Sequence, residues 1–105
     1  MRLSRSQLEA LVKQATVDAY NEAEQAVGLF TMMEENLGLP FETEMFGIQV
    51  TVGRVDMTED DAIVAICKRG SKRQPVSILD LPLPSPPPVG AEWIAAYGHW
   101  RKGFQ

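Results

Sequence analysis

The sequence predicts an α+β domain: N-terminal helices, a small antiparallel SH3-like sheet or barrel, and a short C-terminal helix. Three observations carry this. Apolar residues recur at helical spacing up to Leu37 and at a period of two from about Ile48. Polar turns at Thr58–Asp61 and Gly70–Lys72 separate short β-prone runs. A proline-dense segment, Pro82 to Pro88, precedes a last stretch with aromatics at helical spacing.

The first block, residues 4–38, reads as helical. Leu8, Leu11, Val12, Ala15, Ala19, Ala23, Val27, Phe30 and Leu37 form one apolar stripe. Ser4 or Ser6 can cap its start, and Glu9 stands three residues after Ser6, as in a capping box. Gly28 costs about 1 kcal/mol relative to alanine inside a helix, and so marks an expected break between two helices. Gly38 and Pro40 close the block, in the order usual at a helix C-terminus.

The second block, residues 41–83, reads as sheet. Phe41–Glu44 is a short strand. Ile48, Val50 and Val52 alternate with Gln49 and Thr51, as in a half-buried strand, and Gly53 then breaks the phase, which predicts a bulge. The run Ile63–Cys67 is apolar on both faces and is expected to be a central strand. Gln74–Leu79 supplies the next. Residues 84–90 form a proline-rich strap, since proline cannot donate to a ladder. In residues 91–101, Trp93, Ile94, Tyr97 and Trp100 share a helical face, expected to dock on the sheet as core.

The chain of 105 residues is expected to form a single domain, and 45% apolar with 23% charged residues is a globular mixture. The net charge of −4 disfavours nucleic acid and suits a cation or a basic partner. Cys67 is the sole cysteine, so neither an internal disulfide nor a multi-thiolate zinc site can form. It sits in an apolar run, as a buried structural thiol does. The N-terminus is basic but lacks an apolar segment behind it, and no run is long enough to span a bilayer; a cytoplasmic location without membrane contact is expected. His99 is the sole histidine, expected at the surface, which leaves a zinc centre or a Cys–His nucleophile without partners. No phosphate-cradling loop is present, and the chain is not expected to be an enzyme.

Several segments together carry a family resemblance. They are Tyr20–Gln25 leading to Gly28, Thr31–Met32, Glu34–Leu37, Pro40–Phe41, Gly47 with Val50–Val52, and Ile63–Gly70. Arg73–Gln74, Ile78–Leu83 and Gly90–Ile94 with Tyr97 and Trp100 complete the set. From about Tyr20 to Trp100 the chain resembles the cyanobacterial calcium-binding protein family of CcbP type. The resemblance implies calcium binding without EF-hands, for buffering or signalling. It assigns the ion to no numbered position.

Calcium takes six to eight oxygen ligands, largely carboxylates and carbonyls. The EF-hand spacing is absent, so the ligands must come from a short acidic loop or from separate segments. Asp56, Glu59, Asp60 and Asp61 form the densest carboxylate cluster; as a solvated turn they would need no ion, since aspartate is common in turns. Glu24 and Glu35, with Glu34, form a second set that converges only if the chain folds back near Gly28. Glu42, Glu44 and Asp80 are further acids with no favoured role. The alternative to a metal site is an SH3-like protein-interaction module, whose surface would be the basic cluster Lys68, Arg69, Lys72 and Arg73. That cluster also reads as a charged edge opposing strand-to-strand aggregation.

Overall fold

The computed structural model describes residues 2–103; Met1, at the head of the basic N-terminal segment, and Phe104 and Gln105 lie outside them. Two helices open the chain, α1 (Arg5–Ala15) and α2 (Glu22–Asn36). A four-stranded sheet follows, β1 (Phe41–Met45), β2 (Ile48–Met57), β3 (Ile63–Arg69) and β4 (Lys72–Ser77), and α3 (Glu92–Lys102) closes the fold. The expected α+β class is thus present. The strands form an antiparallel meander in the order β1-β2-β3-β4. Its pairings stop at β1 and β4, so the sheet is open.

Helix α1 starts at Ser4, whose hydroxyl accepts from the Gln7 amide while the Gln7 side chain accepts from the Ser4 amide. The capping box therefore uses Gln7, and Glu9 pairs instead with Arg5 one turn away. The expected break at Gly28 is not there. The chain turns earlier, at Thr16–Asn21, and α2 runs unbroken through Gly28. The glycine serves helix packing: a Cβ at position 28 would lie 2.2 Å from the Ala15 carbonyl oxygen. Only a residue without a side chain lets the end of α1 lie against α2 this closely.

The early turn also resets the helical phase. The stripe read through one long helix places Ala23 and Val27 inside, but both are exposed. The buried face of α2 is Ala26, Leu29 and Met33, at spacings of three and four, and Leu37 is buried just past the helix end.

The sheet follows its pattern more closely. Val52 pairs with Cys67, Arg54 with Ile66, and Gly53 stands between them as the bulge. The bulge lets Val52 and Val55 both face the core while Arg54 and Asp56 point outward. Ile63, Ala65 and Cys67 are buried on the inner strand β3. Against this face pack α2 and the α3 residues Trp93, Ile94, Ala96, Tyr97 and Trp100. Residues 78–91 carry neither helix nor strand and lead from β4 to α3, burying Ile78 and Leu81 on the way. Thr43, the one buried polar residue among those described, donates its hydroxyl to the Pro82 carbonyl oxygen.

Cys67 is a free, buried thiol, and burial pushes its ionisation above the usual thiol range. The folded state thus holds the proton more tightly than the unfolded chain. This contribution to stability is complete at pH values below the ordinary thiol range and is lost as pH rises through and above it. Labelling with a thiol reagent at neutral pH should be at least about a hundredfold slower in the native protein than in denaturant, since burial restricts both access and thiolate formation. Comparable rates would show that β3 does not shield its inner face.

Candidate metal site

One end of the sheet brings α2, the β2–β3 loop and α3 together. The loop is a tight turn built on Thr58. The Thr58 amide donates to the Ala62 carbonyl, the Asp61 amide donates to the Thr58 carbonyl, and the Ala62 amide donates to the Thr58 hydroxyl at 3.2 Å. Asp61 closes it in the left-handed region at φ 61°, which aspartate tolerates better than most residues. Helix α2 starts beside this loop. Asn21 caps it by accepting from the Glu24 amide at 2.9 Å, and the Glu24 carboxylate accepts from the Tyr20 amide at 2.9 Å.

Helix α3 fixes the third wall. The Tyr97 hydroxyl accepts from the Ile63 amide at 3.1 Å, which ties α3 to the first residue of β3. The same hydroxyl accepts from Arg101, whose guanidinium lies 5.8 Å from the Tyr97 ring centroid. Trp100 stacks on Tyr97 with centroids 6.1 Å apart and donates its indole N–H to Gln25 of α2 at 2.8 Å. The result is a groove of about 290 Å3 lined by the acids Glu22, Asp60 and Asp61 and by Arg101. Among the described residues, none of these three carboxylates has a hydrogen-bond or ion-pair partner.

The acids singled out in the sequence divide accordingly. Asp60 and Asp61 line the groove; Glu59, on the same loop, is exposed and does not. Asp56 projects from the outer face of β2. It accepts from the Met57 amide at 2.8 Å and from Arg54 at 3.0 Å, and these contacts, the amide foremost, hold its carboxyl below the usual range. Glu24 is engaged in the cap of α2. Glu35 stands eleven residues further along the same unbroken helix, about 16 Å away along the axis, so the two do not converge. Glu42 accepts from Gln49 across β1–β2, and Glu44 and Asp80 are exposed. His99 is half-buried, with Nε2 3.8 Å from Glu9 of α1.

Sequence reasoning missed Glu22 and Arg101. The signal for Glu22 was the pairing of Asn21 with Glu24, which marks a helix start and places Glu22 in its first turn. Arg101 carried no local signal, because its place depends on how α3 docks.

Three acidic residues line the groove, and carboxylate is the donor type a hard cation such as calcium prefers. The side chains are not gathered. Among the described residues no three Asp, Glu, His or Cys side chains already stand close enough together to hold a metal ion. Any ion must draw Glu22 and Asp60, both exposed, inward.

Fold and groove together describe a small α+β protein of net charge −4 with a groove lined by three acidic residues. The chain belongs to the CcbP-type family, described as calcium binding, whose model matches residues 9–101. That range takes in every element named above apart from the first turn of α1 and the last residue of α3. Comparison with curated proteins and with solved structures returns no match. No helix among the described residues is long and apolar enough to cross a membrane.

Proposed function

We propose that the protein binds calcium reversibly in the groove between α2 and the β2–β3 loop, as a cytoplasmic buffer or signalling component and not as an enzyme. The observation that carries this is the meeting of Glu22 with Asp60 and Asp61 in one groove, their carboxylates unpartnered among the described residues. Three acids lining one groove give it negative charge, and a bound divalent ion would supply the compensating charge. Asp60 and Asp61 would hold the ion from a turn stiffened by Thr58, and Glu22 would close on it from the first turn of α2. Because the carboxylates must be ordered on binding, the affinity belongs in the weaker range for protein calcium sites, a dissociation constant of about 10⁻⁵ to 10⁻³ M.

A calorimetric titration tests this. Calcium should give a saturable isotherm and magnesium a much weaker one, because magnesium dehydrates reluctantly and demands octahedral geometry. At calcium near a hundred times the dissociation constant, the folded state should gain about 2.7 kcal/mol. Arg101 opposes the ion electrostatically. A unit charge about 8 Å from a divalent ion in water costs roughly 1 kcal/mol before screening, so Arg101→Gln should tighten calcium binding a few-fold. No isotherm at millimolar calcium would overturn the reading, and weaker binding in Arg101→Gln would place the ion elsewhere.

A further inference from the structure

The opposite end of the sheet carries a surface of different character. The β1–β2 and β3–β4 turns both lie there, away from the β2–β3 loop. The face that packs against the helices continues past them and is left open, forming a groove of about 540 Å3. Met45, Ile48, Val50 and Val76 give it an apolar floor. Arg69, Lys72 and Arg73 line it with positive charge, and no acidic residue does. Phe46, on the β1–β2 turn at the mouth, is 98% exposed.

The charge is concentrated. Four of the ten lysines and arginines fall within residues 68–73, in a chain whose net charge is −4. Arg69, Lys72 and Arg73 make no ion pair among the described residues, while Lys68 follows the inward Cys67 and lies on the outer face of β3, outside the groove. Unpaired cations rimming an apolar floor are complementary to a chain that carries carboxylates beside apolar side chains. The concave shape favours an inserted segment over a flat membrane surface, and the volume lies in the range of about 300–1,000 Å3 typical of ligand pockets. We propose that this groove docks an acidic segment of a partner protein in which carboxylates are interleaved with leucine or aromatic side chains. The surface is independent of the calcium reading, since the two grooves lie at opposite ends of the sheet.

The test uses the whole chain and a short fluorescent peptide of alternating glutamate with leucine and phenylalanine. Saturable binding is expected at low salt, weakening as salt rises, with shifts of the Ile48, Val50 and Val76 methyl resonances. The double reversal Lys72→Glu and Arg73→Glu should weaken binding at least about tenfold. Both residues are exposed, so unchanged melting should accompany the loss. Phe46→Ser should weaken it a few-fold, and a peptide with lysine in place of glutamate should not bind. No saturable binding at millimolar peptide would overturn the proposal. So would affinity unaffected by the charge reversal, shifts confined to other surfaces, or binding to phosphatidylcholine–phosphatidylserine vesicles without binding to the peptide.

Discussion

Replacing Gly90 by alanine is expected to lower the melting temperature by about 15 °C or more, the largest single-residue effect that the fold implies. Gly90 lies in the strap just before α3, at φ +86°. A Cβ there would stand 2.2 Å from the Asn36 carbonyl oxygen and 2.7 Å from Leu37 Cα, at the C-terminus of α2. Both atoms are backbone, so no rotamer change relieves the contact. The neighbouring Val89 carbonyl accepts from the Gly38 amide at 2.7 Å, which pins the crossing in place. The left-handed conformation costs a side-chain-bearing residue about 1–3 kcal/mol, and overpacking adds a comparable amount, about 1–3 kcal/mol. Their sum is a large part of the roughly 5–15 kcal/mol that holds a domain of this size together. Gly53→Ala is the contrast. A Cβ at the bulge meets nothing within 4 Å, so the cost should stay below about 1 kcal/mol. Equal melting temperatures for the two variants would show that the strap does not cross the end of α2 this closely.

The double variant Asp60→Asn and Asp61→Asn is expected to weaken calcium binding at least tenfold, or roughly 1.4 kcal/mol. Two of the three carboxylates in the groove are lost, while the loop is kept. Its turn depends on the Thr58 backbone and hydroxyl, and asparagine accepts the left-handed backbone at position 61 as readily as aspartate. Relief of repulsion should leave the ion-free protein slightly more stable. Glu22→Gln alone should weaken binding in the same direction. Glu34→Gln with Glu35→Gln, at the far end of α2, should leave the isotherm where it was. If the loop variant binds calcium as well as the parent, Asp60 and Asp61 are only solvated turn residues.

The strands were legible because their signals are local. Alternation in Ile48–Val52, the phase break at Gly53 and the apolar run Ile63–Cys67 each reflect one segment meeting one buried face. The aromatic face of α3 was legible for the same reason. Helix α2 was misphased because a stripe was carried across Thr16–Asn21 as though the backbone had not turned. Alanines and leucines recur often enough to fit two registers, and the cap at Asn21 decides between them. Gly28 illustrates the limit: a glycine that breaks a helix and one that admits a neighbouring helix look alike until Ala15 is placed against it.

The candidate site was half legible. Asp60 and Asp61 stood out because a short turn crowds its charges. Asp56 seemed part of that cluster by sequence distance, but the bulge at Gly53 places it on the outer face beside Arg54. Glu22 depends on tertiary placement, since residues nearly forty positions apart meet only once α2 lies beside the β2–β3 loop.

The most direct test of the central claim is an amide-resonance titration of the folded protein with calcium. The account predicts that the shifts concentrate at Glu22, Ala23 and Glu59–Ala62, follow one saturation curve, and leave Glu35, Asp56 and the β3–β4 turn unmoved. Saturable shifts centred on Asp56, or on Glu34 and Glu35, with the β2–β3 loop silent, would contradict it.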